Sequence, residues 1–291
     1  MLWAISVHFD KYLVDRFFKD TNVAVLLLFT ALIGVLMLPF IWCLEPGVIH
    51  HDLGSIALMT LSGILYLSGM LLYLKSLQGE EASVVAPFFQ AGPLFSYVLA
   101  YLVLGETLTP QQMTGGALVV IGTLFVSLRF GQNAQRFKAR LAVRMLGCAF
   151  IMALSGLIFK AFVLKVEFWT TIFWMFIGEA IVGAVLLLMP PFRRQFMVLL
   201  RKNTAALLSI NGANEVINLS GSLGNRYALL FAPLSIVQAI GSTTTLFVFA
   251  FGVLLSVFFP KLSREDLSSR ELIQKGIAAM LVAVGVALVT R

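Results

Sequence analysis

Charge is scarce in this chain: 12% of its 291 residues are Asp, Glu, Lys or Arg, half the roughly 25% of an ordinary soluble protein. That shortage excludes a soluble globular domain. Only two cysteines are present, Cys43 and Cys148, both in or beside apolar segments. They provide neither a disulfide framework nor a metal-ligand spacing. Of the three histidines, two form the loop cluster His50-His51-Asp52, a pattern expected of solvated surface. A nucleophile elbow, a phosphate loop, an HExxH pair and a CxxC pair are all missing, so the sequence gives no basis for hydrolytic, nucleotide-driven or redox catalysis. The reading is of a protein that is not an enzyme and needs no metal and no cofactor. A cleavable signal is not visible, because the first apolar stretch is interrupted by Asp10 and Lys11 and lacks a basic leader.

What is abundant is apolar sequence: 59% of the chain is hydrophobic. Hydropathy and turn residues place ten spans near 1–17, 22–43, 54–75, 82–104, 111–129, 142–164, 169–189, 203–227, 232–257 and 271–290, most of them long enough to cross about 30 Å of hydrocarbon at a rise of about 1.5 Å per residue. Little remains for a separate soluble domain. Two span starts are marked by a hydroxyl N-cap with Gln or Glu three residues on, at Thr109-Pro110-Gln111-Gln112 and Ser268-Ser269-Arg270-Glu271.

The net charge of +7 reports topology, not nucleic acid. Short cytoplasmic loops retain Lys and Arg. Alternate loops hold Arg16 and Lys19, then Lys75, then Arg129, Arg136, Lys138, Arg140 and Arg144, then Arg193, Arg194, Arg201 and Lys202, and finally Lys261, Arg264, Arg270 and Lys275. The opposite side holds Lys160, Lys165, Arg226 and Arg291. By this count both termini face away from the cytoplasm, and the partners are a lipid bilayer and a small-molecule substrate.

An internal repeat organises the spans. Ala4-x-Ser6-x4-Lys11-x2-Val14 recurs as Ala153-x-Ser155-x4-Lys160-x2-Val163, and Ala31-x2-Gly34 as Ala180-x2-Gly183, both at an offset of 149. At an offset of 152, residues 67–104 align without a gap on 219–256, and Gly122 matches Gly285 at an offset of 163. Any one match between apolar helices is weak; their collinear order is the argument. Five spans per copy is an odd number, so the second copy enters the membrane inverted. The expected fold is an all-α integral membrane protein of ten transmembrane helices in two inverted five-helix repeats, 1–129 and 142–291, joined by a basic linker at 130–141. At the 149 offset Met1 aligns with Phe150, inside span 6, so span 1 reads as about two turns short, as if the chain started late.

The residues at the end of the first repeat resemble a known family. Gly105-Glu106-Thr107-Leu108-Thr109, followed by Gln112-x2-Gly115-x2-Leu118-x3-Gly122, is similar to the ending of an EamA-type half. Ala82-Ser83-Val84-Val85-Ala86-Pro87 with Pro93 is similar to that family's fourth helix. In the second half, Lys261-Leu262-Ser263-Arg264-Glu265-Asp266 stands where the short Gly-Glu turn would be. The resemblance covers nearly the whole chain. It implies the drug/metabolite transporter superfamily, whose members mostly export small metabolites or foreign compounds.

Polar side chains within spans point to the site, because facing lipid is costly for them. Asn211, Asn214, Glu215, Asn218, Ser222 and Asn225 share one face of span 8 at helical spacing. Glu215 there and Glu179 in span 7 are mid-span carboxyls, the candidates for proton coupling; Glu179, among Gly178, Ala180 and Gly183, equally suits a structural hydrogen bond. The expected substrate pathway comprises Glu215, Asn211, Asn214, Asn218, Ser222, Gln90, Gln238 and Ser242. Asp10 reads either as a partner of Lys11 or as part of the cavity, and Lys11 and Lys160 as lysines reaching the interface. Tyr66 and Trp174 read more readily as packing than as stacking on a substrate. The glycines of spans 5 and 10 suit close helix packing and, if the chain dimerises, a dimer contact; otherwise it is a monomer. The function expected is secondary transport, with efflux across the cytoplasmic (inner) membrane as the leading form. The alternative is a flippase for a lipid-linked substrate with an anionic head group, held by Arg226 eleven residues from Glu215.

Overall fold

The computed structural model describes residues 1–18, 22–78, 80, 85, 88–89, 91–127, 139–241, 243–258 and 269–289. Eleven helices run through them: α1 (Leu2–Phe17), α2 (Leu27–Leu44), α3 (Leu53–Leu77), α4 (Ala91–Leu104), α5 (Pro110–Ser127), α6 (Ala139–Val163), α7 (Phe168–Leu188), α8 (Pro190–Ala228), α9 (Leu234–Gly241), α10 (Thr244–Phe258) and α11 (Ser269–Val289). Among the described residues there is no strand. Five stretches are long and apolar enough to cross a bilayer: Val23–Leu44, Leu53–Leu77, Arg140–Val163, Phe168–Leu188 and Leu234–Phe258. The others are shorter, more polar or flanked by undescribed residues.

Two helices differ from the expected spans. The stretch 232–257 is not one helix; it is interrupted at Thr243, which turns its hydroxyl back onto the Ile240 carbonyl before α10 begins. An apolar run conceals such a break, because hydropathy does not register backbone geometry. Span 8 begins thirteen residues earlier than expected, since α8 starts at Pro190 and runs for 39 residues, about 58 Å at 1.5 Å per residue. Its basic first part reads as loop by charge. Pro190 and Pro191 nevertheless occupy the first helical positions, where a missing N–H costs nothing, and Phe192, Phe196 and Leu200 pack on the core.

The Thr109 cap forms as the sequence implies: Thr109 N–H donates to Gln112 Oε1 at 3.0 Å, and Gln112 N–H to Thr109 Oγ1 at 3.2 Å. The Ser268 cap, the linker at 130–138 and the 261–266 segment lie outside the described residues. Asp52 of the loop histidine cluster caps α3 by accepting from Ser55 N–H at 2.8 Å; hydrogen bonding by the Ser55 side chain, and then by its N–H, holds the Asp52 carboxyl below the usual carboxylate range. Gly105 and Glu106, the Gly-Glu pair of the first half, have separate tasks. Gly105 sits in the left-handed region at φ 66°, which suits glycine and lets the chain reverse so that Glu106 N–H reaches the Ala100 carbonyl. The Glu106 carboxylate then accepts from Leu234 N–H at 3.1 and 3.4 Å, capping α9.

Helices meet closely at glycines. A Cβ on Gly63 of α3 would lie 1.9 Å from the Met175 carbonyl of α7, and one on Gly178 2.0 Å from the Thr60 carbonyl of α3. Small residues admit such backbone contact where lipid and protein interiors are equally apolar. α2 meets α7 through Gly183 against Ala31, and α5 meets α11 through Gly122 and Gly285.

Several contacts occur twice at the sequence offsets noted above. Ser6 of α1 donates to Asn214 of α8 at 2.8 Å, and Ser155 of α6 donates to the Ser62 carbonyl of α3 at 2.8 Å. Lys11 donates to the Leu77 carbonyl at the end of α3, and Lys160 to the Leu229 carbonyl just beyond α8. Gly122 lies against Ala278 and Val282, Gly285 against Gly115 and Val119.

Two measurements test this packing. Gly63→Ala and Gly178→Ala each force backbones apart and are expected to destabilise the purified protein by roughly 1–3 kcal/mol in a thermal melt, whereas Gly212→Ala, which meets open space, leaves the melt unchanged. Glu167, which precedes α7, hydrogen-bonds Glu45 at the end of α2, and this bond, followed by repulsion from Glu45, raises its carboxyl above the ordinary glutamate value. A carboxyl pair bonds only while it holds a proton. The contact is therefore complete below the ordinary value and lost as pH rises through the raised one. Amide exchange across residues 45–50 is expected to speed up, beyond its intrinsic rate, as pH rises above the ordinary glutamate value, and Glu167→Gln removes that excess.

Candidate functional site

A cavity of about 190 Å³ opens between α1, α3, α4, α6, α8, α9 and α10. Much of its wall is aromatic or apolar, from Trp3, Tyr66, Met70, Phe89, Met152 and Val248. Two charges stand in this wall, Asp10 from α1 and Arg226 from α8.

Asp10 is held by a chain of hydrogen bonds. Ser6 Oγ donates to Asn214 Oδ1 at 2.8 Å, Asn214 Nδ2 donates to Asp10 Oδ1 at 2.7 Å, and Tyr73 OH donates to Asp10 Oδ2 at 3.2 Å. Each carboxyl oxygen thus has a donor, as a buried acid requires. Arg226 is 6% exposed. Its Nε donates to Ser222 Oγ at 3.3 Å, and its guanidinium carbon lies 5.3 Å from the Tyr66 ring centroid and 4.7 Å from that of Phe159. Two aromatic faces stabilise the cation by about 1 kcal/mol or more each when water is excluded.

The polar stripe of α8 faces inward as expected, but its members divide. Asn218, Ser222 and Asn225, with Gln238 of α9, line the cavity. Asn214 lies behind the wall and orients Asp10. Glu215 is buried beyond it and accepts from Thr30 Oγ1 of α2 at 2.7 Å. Asn211 is also buried, its Oδ1 without a hydrogen-bond partner among the described residues, as is Oε1 of Glu179 in α7. Gln90 and Ser242 lie outside the described residues. Tyr66 lines the cavity, whereas Trp174 donates to the Val48 carbonyl at 2.7 Å away from it.

Asp10 belongs to the wall, and Lys11 pairs instead with Asp15 at 2.9 Å. The pattern Trp3, Ser6, Asp10 at i, i+3 and i+7 places all three on one face of α1; that was the readable signal. Lys160 corrects an expectation. It does not reach an interface: it is 5% exposed and donates to the Leu229 and Ala232 carbonyls at the α8–α9 turn. Unsatisfied carbonyls at a helix end attract a cation from a neighbouring helix, and hydropathy does not locate that end in space.

The sequence model of the EamA-like transporter family matches residues 1–128. An uncharacterized protein of Methanocaldococcus jannaschii is 31% identical over 97 residues, which span 33% of this chain and 71% of the relative. A solved crystal structure, 12% identical, superposes with a TM-score of 0.62 over 99% of this chain and 94% of the other, a likeness of fold alone. With its apolar membrane-length helices and the matched first half, the chain is a multi-pass membrane protein and a member of the EamA-like transporter family, within the drug/metabolite transporter superfamily.

Proposed function

We propose that the protein is a secondary transporter that exports a small organic solute across the cytoplasmic membrane by alternating access, and that it is built as two inverted five-helix repeats, 1–129 and 142–291, joined by the linker at 130–141. The observation that carries this reading is the cavity whose walls come from both repeats: α1, α3 and α4 from the first, α6, α8, α9 and α10 from the second. The duplicated contacts support the repeat, since α1 on α8 mirrors α6 on α3. Rocking one repeat against the other would expose the cavity to each face in turn. The helix interruption at Thr243 fits the same reading, because interrupted helices beside a cavity free backbone groups to meet a solute.

Export is coupled to a proton in this reading. Three buried carboxyls are available, Asp10, Glu179 and Glu215, and Asp10 lies in the wall that a solute touches. Protonation of a carboxyl in a water-poor site removes a charge, which is how proton and solute come to compete. A flippase for a lipid-linked anionic head group is the second reading, favoured by Arg226 in the wall. A second copy, where present, would meet the outward faces of α5 and α11, where Ile121, Ile273 and Met280 are exposed.

The test is uptake into sealed proteoliposomes of the compound that most stabilises the purified protein in a metabolite screen. Wild type is expected to accumulate it under a pH gradient. Asp10→Asn and Glu215→Gln are expected to keep solute counterflow while their pH-driven accumulation falls by about tenfold or more, the equivalent of about 1.4 kcal/mol of coupling. An unchanged pH response in both variants excludes coupling through these acids, and movement of labelled lipid without soluble uptake favours the flippase.

A further inference from the structure

Arg226 carries a charge with no contacting counter-ion among the described residues: Glu179 of α7 acts on it through space, without an ion-pair contact. Its guanidinium stays protonated at any physiological pH, it is buried, and no acidic side chain among the described residues lies within 4 Å of it. Its hydrogen bond to Ser222 uses Nε, which leaves the terminal NH2 groups without a hydrogen bond among the described residues. The rings of Tyr66 and Phe159 stabilise the cation but present no acceptor atom. A buried cation normally acquires an anionic partner. Complementing the dipole at the α8 C-terminus does not account for it, because Lys160 already takes the Leu229 and Ala232 carbonyls there.

The second charge in the wall does not compete for this role. Asp10 has a donor on each oxygen, from Asn214 and Tyr73. Its counterpart at the 149 offset is Phe159, one of the two rings against Arg226. The halves therefore differ where their contacts otherwise correspond: one has a hydrogen-bonded acid and the other a cation on an aromatic bed. The rest of the wall is largely apolar.

Resting on the reading of this cavity as a transport site, we propose that Arg226 anchors the anionic group of the transported solute, a small organic anion with an apolar or aromatic body. The free side of the guanidinium fork matches two oxygens of a carboxylate or a phosphate in one plane, while Tyr66, Met70 and Met152 receive the body. Binding gives the terminal NH2 groups the acceptors that the described side chains do not supply.

The experiment measures affinity by Trp fluorescence and thermal shift on the purified full chain in detergent. The probes are 3-phenylpropionate, phenyl phosphate, 3-phenylpropionamide and 3-phenylpropylamine; the two anions separate a carboxylate from a phosphate source. At least one anion is expected to bind about tenfold or more tighter than the amide, as an interaction of about 1.4 kcal/mol or more requires. Arg226→Gln is expected to abolish that preference. Arg226→Lys, which keeps the charge without the fork, retains it at reduced affinity, so the assignment stays testable if the glutamine variant does not fold. Equal binding of anions and amide, tighter binding of the amine, absence of any anion preference, or a preference that survives Arg226→Gln overturns it. Anion binding without uptake into proteoliposomes refutes transport and leaves this assignment standing; uptake without anion preference does the reverse.

Discussion

A helix in hydrocarbon can satisfy its own backbone everywhere except at its ends. That constraint governs the rest of this molecule. Its carbonyl and N–H ends are answered by side chains from elsewhere in the fold: Lys11 on the end of α3, Lys160 on the end of α8, Glu106 on the start of α9. Polar side chains that do not serve an end turn inward, and where several turn inward together the helices leave a cavity. Close contacts at Gly63, Gly178, Gly122 and Gly285 bring the remaining surfaces near enough for dispersion forces to hold them, since burial from lipid gains little hydrophobic free energy.

Periodicity made part of this legible in advance. The inward stripe of α8, the reciprocal Thr109–Gln112 cap and the slim faces of α5 and α11 all follow from spacing within one helix, and spacing is what a sequence displays. Which neighbour a face meets is a different kind of information. Glu215 and Ser222 lie on one stripe, yet Glu215 binds Thr30 while Ser222 lines the cavity, because different helices cross the stripe at different heights. Lys160 was legible as the counterpart of Lys11 but not as a buried group, since the carbonyls it serves belong to a helix end 69 residues away in sequence. The early start of α8 was hidden for the opposite reason: charge suggested a loop where two prolines were starting a helix.

Departures from the repeat are as informative as the matches. Ser6 and Ser155, or Gly122 and Gly285, keep the same contacts at the repeat offsets because they set helix spacing. Asp10 and Phe159, or Tyr66 and Asn218, occupy matched positions with unlike chemistry. These positions line the cavity or border Arg226. Matched contacts thus enclose an asymmetric, polarised space.

The two lysine contacts extend that asymmetry to the ends of the molecule. Lys160 is buried on two carbonyls beside a helix start that Glu106 also holds, whereas Lys11 divides its ammonium between Asp15 and one carbonyl at 3.3 Å. Were the halves to rock as proposed, breaking the first of these would cost more than breaking the second, and the two faces would open against unequal barriers. Such inequality cannot set the direction of net flux, which belongs to the gradients. It would set where an empty carrier waits, and hence the concentration at which each side of the membrane saturates it.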